Sequence, residues 1–457
     1  MRQQNYTGFL FAFLIPAVLF LFPADLHAQA PGYAEPAILD MRERAQVIDR
    51  WLEDRLDNLV PQLMEREEID MWVLIAREYN EDPVLLTMLP ATWQSSRRTT
   101  ILIFHKPGEG EPVERLAVAR YNIGFFETEW DPDMEPDQWK RLGEVIAERN
   151  PQKIGVNFSD DFALADGISH TDFRNLRNNL SPELQERIVS AEPLAVGWLE
   201  TRTPEEITVY RQINRIAHTI IAEGLSEKVI TPGVTTTDDV QWWFRERIRD
   251  LNLTTWFHPS VSVQRADVDP EGFLANFSER PADNVILPGD LIHMDLGIEY
   301  LRLTTDTQRM AYVFRPGETE VPQGLREALK IGNRLQDILT NEFITGRTGN
   351  EILFAALDRA EEEGINATIY THPLGYHGHG AGPTIGLWDQ QEGVPGKGDY
   401  PLYPNTAHSI ELNAEVYIPE WDREILIMLE EDAIFDGETV EYIDGRMEEF
   451  YTIPRQP

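Results

Sequence analysis

The chain has 457 residues, with 78 Asp and Glu against 40 Lys and Arg and no cysteine. A formal net charge of −38 repels nucleic acid and anionic lipid, and without cysteine no disulfide can staple the fold. The length exceeds what one core usually organises, so two domains are expected, while 11 Trp and 20 Phe argue against large-scale disorder.

Residues 1–30 read as a secretory signal. Arg2 gives a basic start, Leu10 to Leu21 is apolar, and Ala28-Gln29-Ala30 offers a small-residue cleavage site. The apolar run falls short of the about 20 residues a bilayer span needs. Cleavage is therefore expected, with no stable membrane insertion afterwards and an exported protein, periplasmic or secreted. Ile38 to Glu67 carries Ile48, Leu52, Leu56 and Leu59 at helical spacing. β-type runs follow at Met71 to Ile75, Thr100 to Phe104, Leu116 to Val118 and Lys153 to Val156. This alternation predicts a small α/β domain over 37–199.

Thr203-Pro204-Glu205-Glu206 combines an N-cap, a proline in the first turn and a capping box, so a helix is expected from there to about Glu223. A second follows Thr236-Thr237-Asp238 through Leu251. A weak internal echo links Val229-Ile230-Thr231-Pro232-Gly233 with Phe343-Ile344-Thr345-Gly346, the latter leading into a capped helix from Thr348 to Glu363.

Gly289 to Phe314 reads as two strands joined by a short bend, with Asp295 and Asp306 eleven residues apart across it. A carboxylate between Met294 and Leu296 is costly unless paired or coordinated, and the competing explanation is an ion pair with Arg302 or Arg309. Thr371 to Trp388 sets His372, His377 and His379 among glycines, which let backbone approach a ligand closely. Glu411 and Glu430 each sit among strong strand formers. An oxygen-rich set with one imidazole and no thiolate favours Mn²⁺, with Zn²⁺ or Co²⁺ as alternatives.

These residues resemble the pita-bread metalloenzymes, a family that includes methionine aminopeptidase, aminopeptidase P and prolidase, with creatinase as a metal-free relative. The resemblance runs through Asp295, Leu296, Gly297, Glu299, Tyr300, Asp306 and Arg309, then His379 within Gly378 to Gly382, then Glu411 and Glu430. It covers Thr203 to Thr452, and residues 37–199 look like the N-terminal domain of aminopeptidase P, prolidase and creatinase. The resemblance implies an α/β protein: an N-terminal α/β domain, then a pita-bread, pseudo-two-fold α+β catalytic domain over 203–452. It implies two divalent ions, with Asp306 and Glu430 bridging, Asp295 completing one site and His379 with Glu411 the other. It makes Glu411 the proton carrier of a Xaa-Pro aminopeptidase-like or prolidase-like metallopeptidase. The implied substrate is a peptide with proline in second position, and the implied assembly a homodimer.

Three positions depart from the family pattern. Gly386 and Met428 stand where peptidases of the family usually carry a histidine and an arginine, and Asn276 to Ser278 hold no histidine. His258, His372 and His377 are the candidates to replace these donors, and His372 and His377 join Glu411 as expected catalytic residues. The alternatives are a catalytically weak peptide-binding protein on the same scaffold and a metallohydrolase of a non-peptide bond.

Overall fold

The computed structural model describes residues 36–108, 110–266 and 284–455, so the signal-like segment and Asn276 to Ser278 lie outside the described residues. Asp40 caps the helix Met41–Asp54 by accepting from Glu43 N at 2.9 Å. Periodicity predicts one helix as far as Glu67, but the chain passes through a π turn, Arg55–Leu59, before resuming as Val60–Arg66. Pro61 explains the break: it has no amide hydrogen to extend the helical ladder, and a wider turn absorbs the defect.

Six strands form the first sheet: β1 (Met71–Arg77), β2 (Thr99–His105), β3 (Glu114–Ala117), β4 (Glu127–Thr128), β5 (Ile154–Val156) and β6 (Ile188–Ser190). Their order is β4-β3-β2-β1-β5-β6. Alternation along β1 serves two cores. Trp72, Leu74 and Ala76 pack with the Leu52 to Met64 helices and with Leu194 to Leu199, while Met71, Val73 and Ile75 pack with Leu142, Val145 and Ile146.

The second sheet is built from β7 (Ser260–Gln264), β8 (Leu291–Leu296), β11 (Thr307–Val313), β12 (Asn366–Ile369), β14 (Thr406–Ile418) and β15 (Arg423–Phe435), in the order β12-β14-β15-β11-β8-β7. Short β9 (Glu299–Tyr300) and β10 (Leu303–Thr304) pair with each other between β8 and β11. β13 (His372–Leu374), β16 (Val440–Tyr442) and β17 (Tyr451–Ile453) pair with β14, β15 and β11. The helices Pro204–Gly224 and Thr237–Asp250 start on the capping boxes of Thr203 and Thr236 and pack with Ile292, Met294 and Leu296. The helices Gln323–Asn341 and Gly349–Glu362 pack with Ile410, Leu412, Ile427 and Leu429. Both pairs thus cover the strand faces opposite to Asp295, Glu411 and Glu430.

The two sheets are joined by buried charge. Arg55 donates to Glu206 Oε2 at 2.9 Å and to Thr201 O at 2.7 Å, and Arg202 lies 3.6 Å from Glu206 Oε1. All three side chains are fully buried. A second tie is Arg302, at the tip of the β9–β10 hairpin, which donates to the carbonyl oxygens of Leu89 at 2.9 Å and of Thr87 and Pro90 at 3.3 Å.

Candidate metal centre

Strand register assembles the site. Asp295 lies opposite Gln308, Gln308 opposite Glu430, and Glu430 opposite Glu411, giving one row across β8, β11, β15 and β14. Partners in adjacent strands sit about 5 Å apart and share a face. A second row runs beside it: Asp306 N donates to Asp432 Oδ1 at 3.2 Å, Asp432 pairs with Ser409, and Ser409 pairs with His372 of β13. Asp306 precedes β11 rather than lying within a strand, so the expected two-strand unit is two strands around a small hairpin.

Three sets of side chains bring donor atoms within 4.8 Å of one another: Asp295, Asp306 and Glu430; His372, Glu411 and Glu430; and Asp306, His372 and His379. Asp306 and Glu430 each belong to two sets. His372 Nε2 points into the carboxylates, 3.5 Å from Asp306 Oδ2, 3.7 Å from Glu430 Oε1 and 4.0 Å from Glu411 Oε2. His379 is more exposed. Its ring stands edge-on to Trp256 at 5.0 Å and to His372 at 4.7 Å, and its Nε2 lies 3.3 Å from the Tyr370 hydroxyl. A side chain at Gly378 would collide with the Trp256 indole, which is why glycine precedes this histidine.

The electrostatics are those of a site built for cations. Burial first, then Glu430 and Asp306, raise the Asp295 carboxyl well above the usual range. Burial, then Glu430 and Asp432, do the same to Asp306, and burial with Glu430 raises Glu411. Burial opposes charge on His372, yet Glu430 and Glu411 outweigh it and raise the imidazole. Asp295 Oδ1 and His372 Nε2 are buried without a hydrogen-bond partner. Buried oxygens of like charge, left unpaired, cost several kcal/mol each, and a hard divalent cation is the group that this donor set fits.

The competing ion pairs do not form. Arg302 is held by backbone carbonyls, and Arg309 pairs with Glu431 at 2.6 Å. Arg309 also reaches Glu430 O at 3.2 Å and His218 Nε2 at 2.7 Å. Burial, helped by Arg309, lowers the His218 imidazole to about 4.

Asp295, Asp306, His379, Glu411 and Glu430, the five expected ligands, converge on this face, and His372 stands among them. His377 belongs to none of the three sets. It lines a separate cleft of about 250 Å³ with Thr87, Glu299 and Arg302, and its Nδ1 is buried without a partner. His258 packs edge-on to Trp242 at 5.1 Å and meets Arg245 Nη1 at 3.2 Å, apart from the three sets. Gly386 has φ 73°, and a side chain there would meet the Ile369 carbonyl; Met428 is buried in apolar contacts.

Four neighbours escape a reading of residue types alone. Gln308 Nε2 donates to Glu411 Oε1 at 2.7 Å, and its Oε1 meets His293 Nε2 at 2.7 Å. Ser409 Oγ donates to Glu430 Oε1 at 2.7 Å. Asp432 and Tyr370 complete the surroundings. Alternation from Glu430 to Asp432 and from Glu411 to Ser409 was the available signal.

Residues 208–440 match Metallopeptidase family M24. No curated protein sequence matches the chain. Among solved structures it is similar to X-Pro aminopeptidase from Thermotoga maritima, with TM-score 0.59 and 17% identity over 85% of this chain and 99% of that one. It is also similar to Xaa-Pro dipeptidase from Bacillus anthracis, with TM-score 0.54 and 18% identity over 90% and 100%. A variant of Escherichia coli aminopeptidase P gives TM-score 0.58 and 14% identity over 88% and 96%. At such identities the likeness is one of fold.

Proposed function

The chain belongs to metallopeptidase family M24, with the mixed α/β pita-bread fold of that family, and from this premise we propose an exported dinuclear peptidase that removes the N-terminal residue from peptides with proline in second position. The observation that carries the reading is that Asp306 and Glu430 are shared between donor sets on one face, the arrangement two neighbouring ions require. In this proposal Asp295, Asp306, His379, Glu411 and Glu430 are the ligands, Mn²⁺ is the ion, 1–30 is a cleaved signal, 37–199 and 203–452 are the two domains, and the protein is a homodimer.

When bound, the two cations polarise the scissile carbonyl and make water a competent nucleophile near neutral pH. Glu411 accepts the proton and returns it to the leaving nitrogen. Gln308 holds Glu411 Oε1 in place, and Ser409 holds Glu430. His372, aimed at the carboxylates, stabilises charge that develops on the reacting carbonyl, the task the absent histidine and arginine leave open. His377, in the cleft with Arg302 and Glu299, contacts the peptide. Trp256 packs edge-on against the His379 ring and orients it.

The test is metal analysis joined to a cleavage assay on Xaa-Pro di- and tripeptides with Mn²⁺. Two equivalents of bound metal and release of the N-terminal residue are expected. Equal metal content in an Asp295→Asn, Asp306→Asn double variant would sink the metal assignment. A second reading rests on Gly386 and Met428, which offer no donor: tight peptide binding without turnover would favour a peptide-binding protein on this scaffold. Turnover of a non-peptide ester or amide alone would point to a different bond.

A further inference from the structure

A cavity of about 680 Å³ lies in the first sheet's half of the molecule and includes none of the metal-centre residues. It opens where β2 begins and β3 ends, and its walls include Trp93, Arg97, Arg98, Arg120, Tyr121 and Trp130. This size suits a small organic ligand.

Its charge is the reverse of its setting. The chain carries 78 acids against 40 bases, yet Glu78 is the one acid on these walls. Among the described residues, no carboxylate lies within ion-pair distance of Arg97, Arg98 or Arg120, whereas nearby Glu129 and Glu135 are engaged by Arg141 and Lys140. Unpaired arginines amid so many acids are unusual, and Arg97 and Arg120 are held in place. The Arg97 guanidinium lies 4.3 Å from the Trp93 ring centroid and that of Arg120 lies 5.6 Å from Trp130, an attraction that orients a cation over a ring. Trp130 is fixed by its Nε1 donating to Glu135 O at 2.7 Å, and Trp93 packs edge-on to Tyr121 at 6.1 Å. Gln138 Nε2 donates to Val118 O at 2.6 Å and Thr99 O at 3.1 Å, fixing the two strand ends that carry the arginines.

We propose that this cavity binds a small organic oxyanion with a planar ring. The arginine forks take the carboxylate, phosphate or sulfonate oxygens, and the ring lies against Trp93, Tyr121 and Trp130. Such a site is separate from the metal centre and independent of the peptidase reading.

The test is calorimetric titration of the full-length, metal-loaded protein with 2-naphthoate and phenyl phosphate, beside the neutral 2-naphthamide and inorganic phosphate. Saturable binding of at least one aromatic anion is expected, about tenfold tighter than either control. That binding is retained in Asp306→Asn and weakened by about tenfold or more in Arg97→Gln, Arg120→Gln, which leaves peptide hydrolysis unchanged. The milder Arg97→Lys, Arg120→Lys variant keeps the charge, removes the fork and loses part of the affinity. Preference for phenyl phosphate identifies a phosphate ligand and preference for 2-naphthoate a carboxylate, either supporting the site. Absence of saturable binding, equal binding of the neutral amide, undiminished affinity in both arginine variants, or loss in Asp306→Asn alone would overturn it.

Discussion

Two clusters of buried charge, one at the junction of the sheets and one on the second sheet, behave in opposite ways. At the junction of the sheets, burial pushes the Glu206 carboxyl up, but Arg55 and Arg202 outweigh it and hold the group below its usual range. At the second sheet, Asp295, Asp306 and Glu411 are raised by burial and, in each case, next by the Glu430 carboxylate. The difference lies in the counter-charge: the junction carries its cations covalently as arginines, and the centre must acquire them from solution. A balanced buried cluster is architecture, and an unbalanced one is a receptor.

The sharpest way to break this contrast is Asp306→Asn. Hydrolysis should fall to background and metal content should drop, while the metal-free protein keeps or gains thermal stability because one buried charge is gone. Loss of folding instead would mean that the centre is architectural too. Next is Arg55→Met, which leaves Glu206 short of a partner. Urea unfolding should show a loss of about 3–5 kcal/mol, with normal metal content in the folded fraction, and a loss under about 1 kcal/mol would show that Arg202 alone balances the junction.

A smaller effect is expected at Glu200, which is buried near the junction with one oxygen lacking a partner. Burial pushes this carboxyl from 4.5 up to about 8. The folded protein therefore binds a proton that the unfolded chain releases, so Glu200 favours folding below about pH 4.5 and this contribution is lost as pH rises toward 8. Unfolding followed across that window should show a slope of at most about 1.4 kcal/mol per pH unit, and Glu200→Gln should flatten it. The smallest effect is Ser409→Ala, which removes the hydroxyl donor to Glu430. Metal affinity should fall about tenfold, read by competition with a chelator, with stability changed by about 1 kcal/mol.

Much of this was legible in the sequence because burying a carboxylate in an apolar strand needs a reason. That argument singled out Asp295, whereas Glu411 and Glu430 stood out only as acids among strand formers and through the family resemblance, and the caps at Thr203, Thr236 and Thr348 marked helix starts that the structure reproduces. What stayed hidden depends on pairing between distant segments. Gln308 faces Glu430 only through the β11–β15 register, and Ser409 meets Asp432 only through that of β14 and β15. His372 was expected as a substitute donor, and its place among the carboxylates comes from β13 pairing with β14. The π turn at Arg55 was invisible because apolar spacing continues through it.

The loop between the first two acids has a mechanical consequence. Asp295 and Asp306 bracket a hairpin whose tip, through Arg302, is riveted to carbonyl oxygens of Thr87, Leu89 and Pro90. The hairpin is therefore a lever pinned at its far end, and Thr87 is also a wall of the cleft that holds His377. A wall of the cleft and the two carboxylates are thus tied to one hairpin, whose anchoring in the first sheet's half fixes it at both ends.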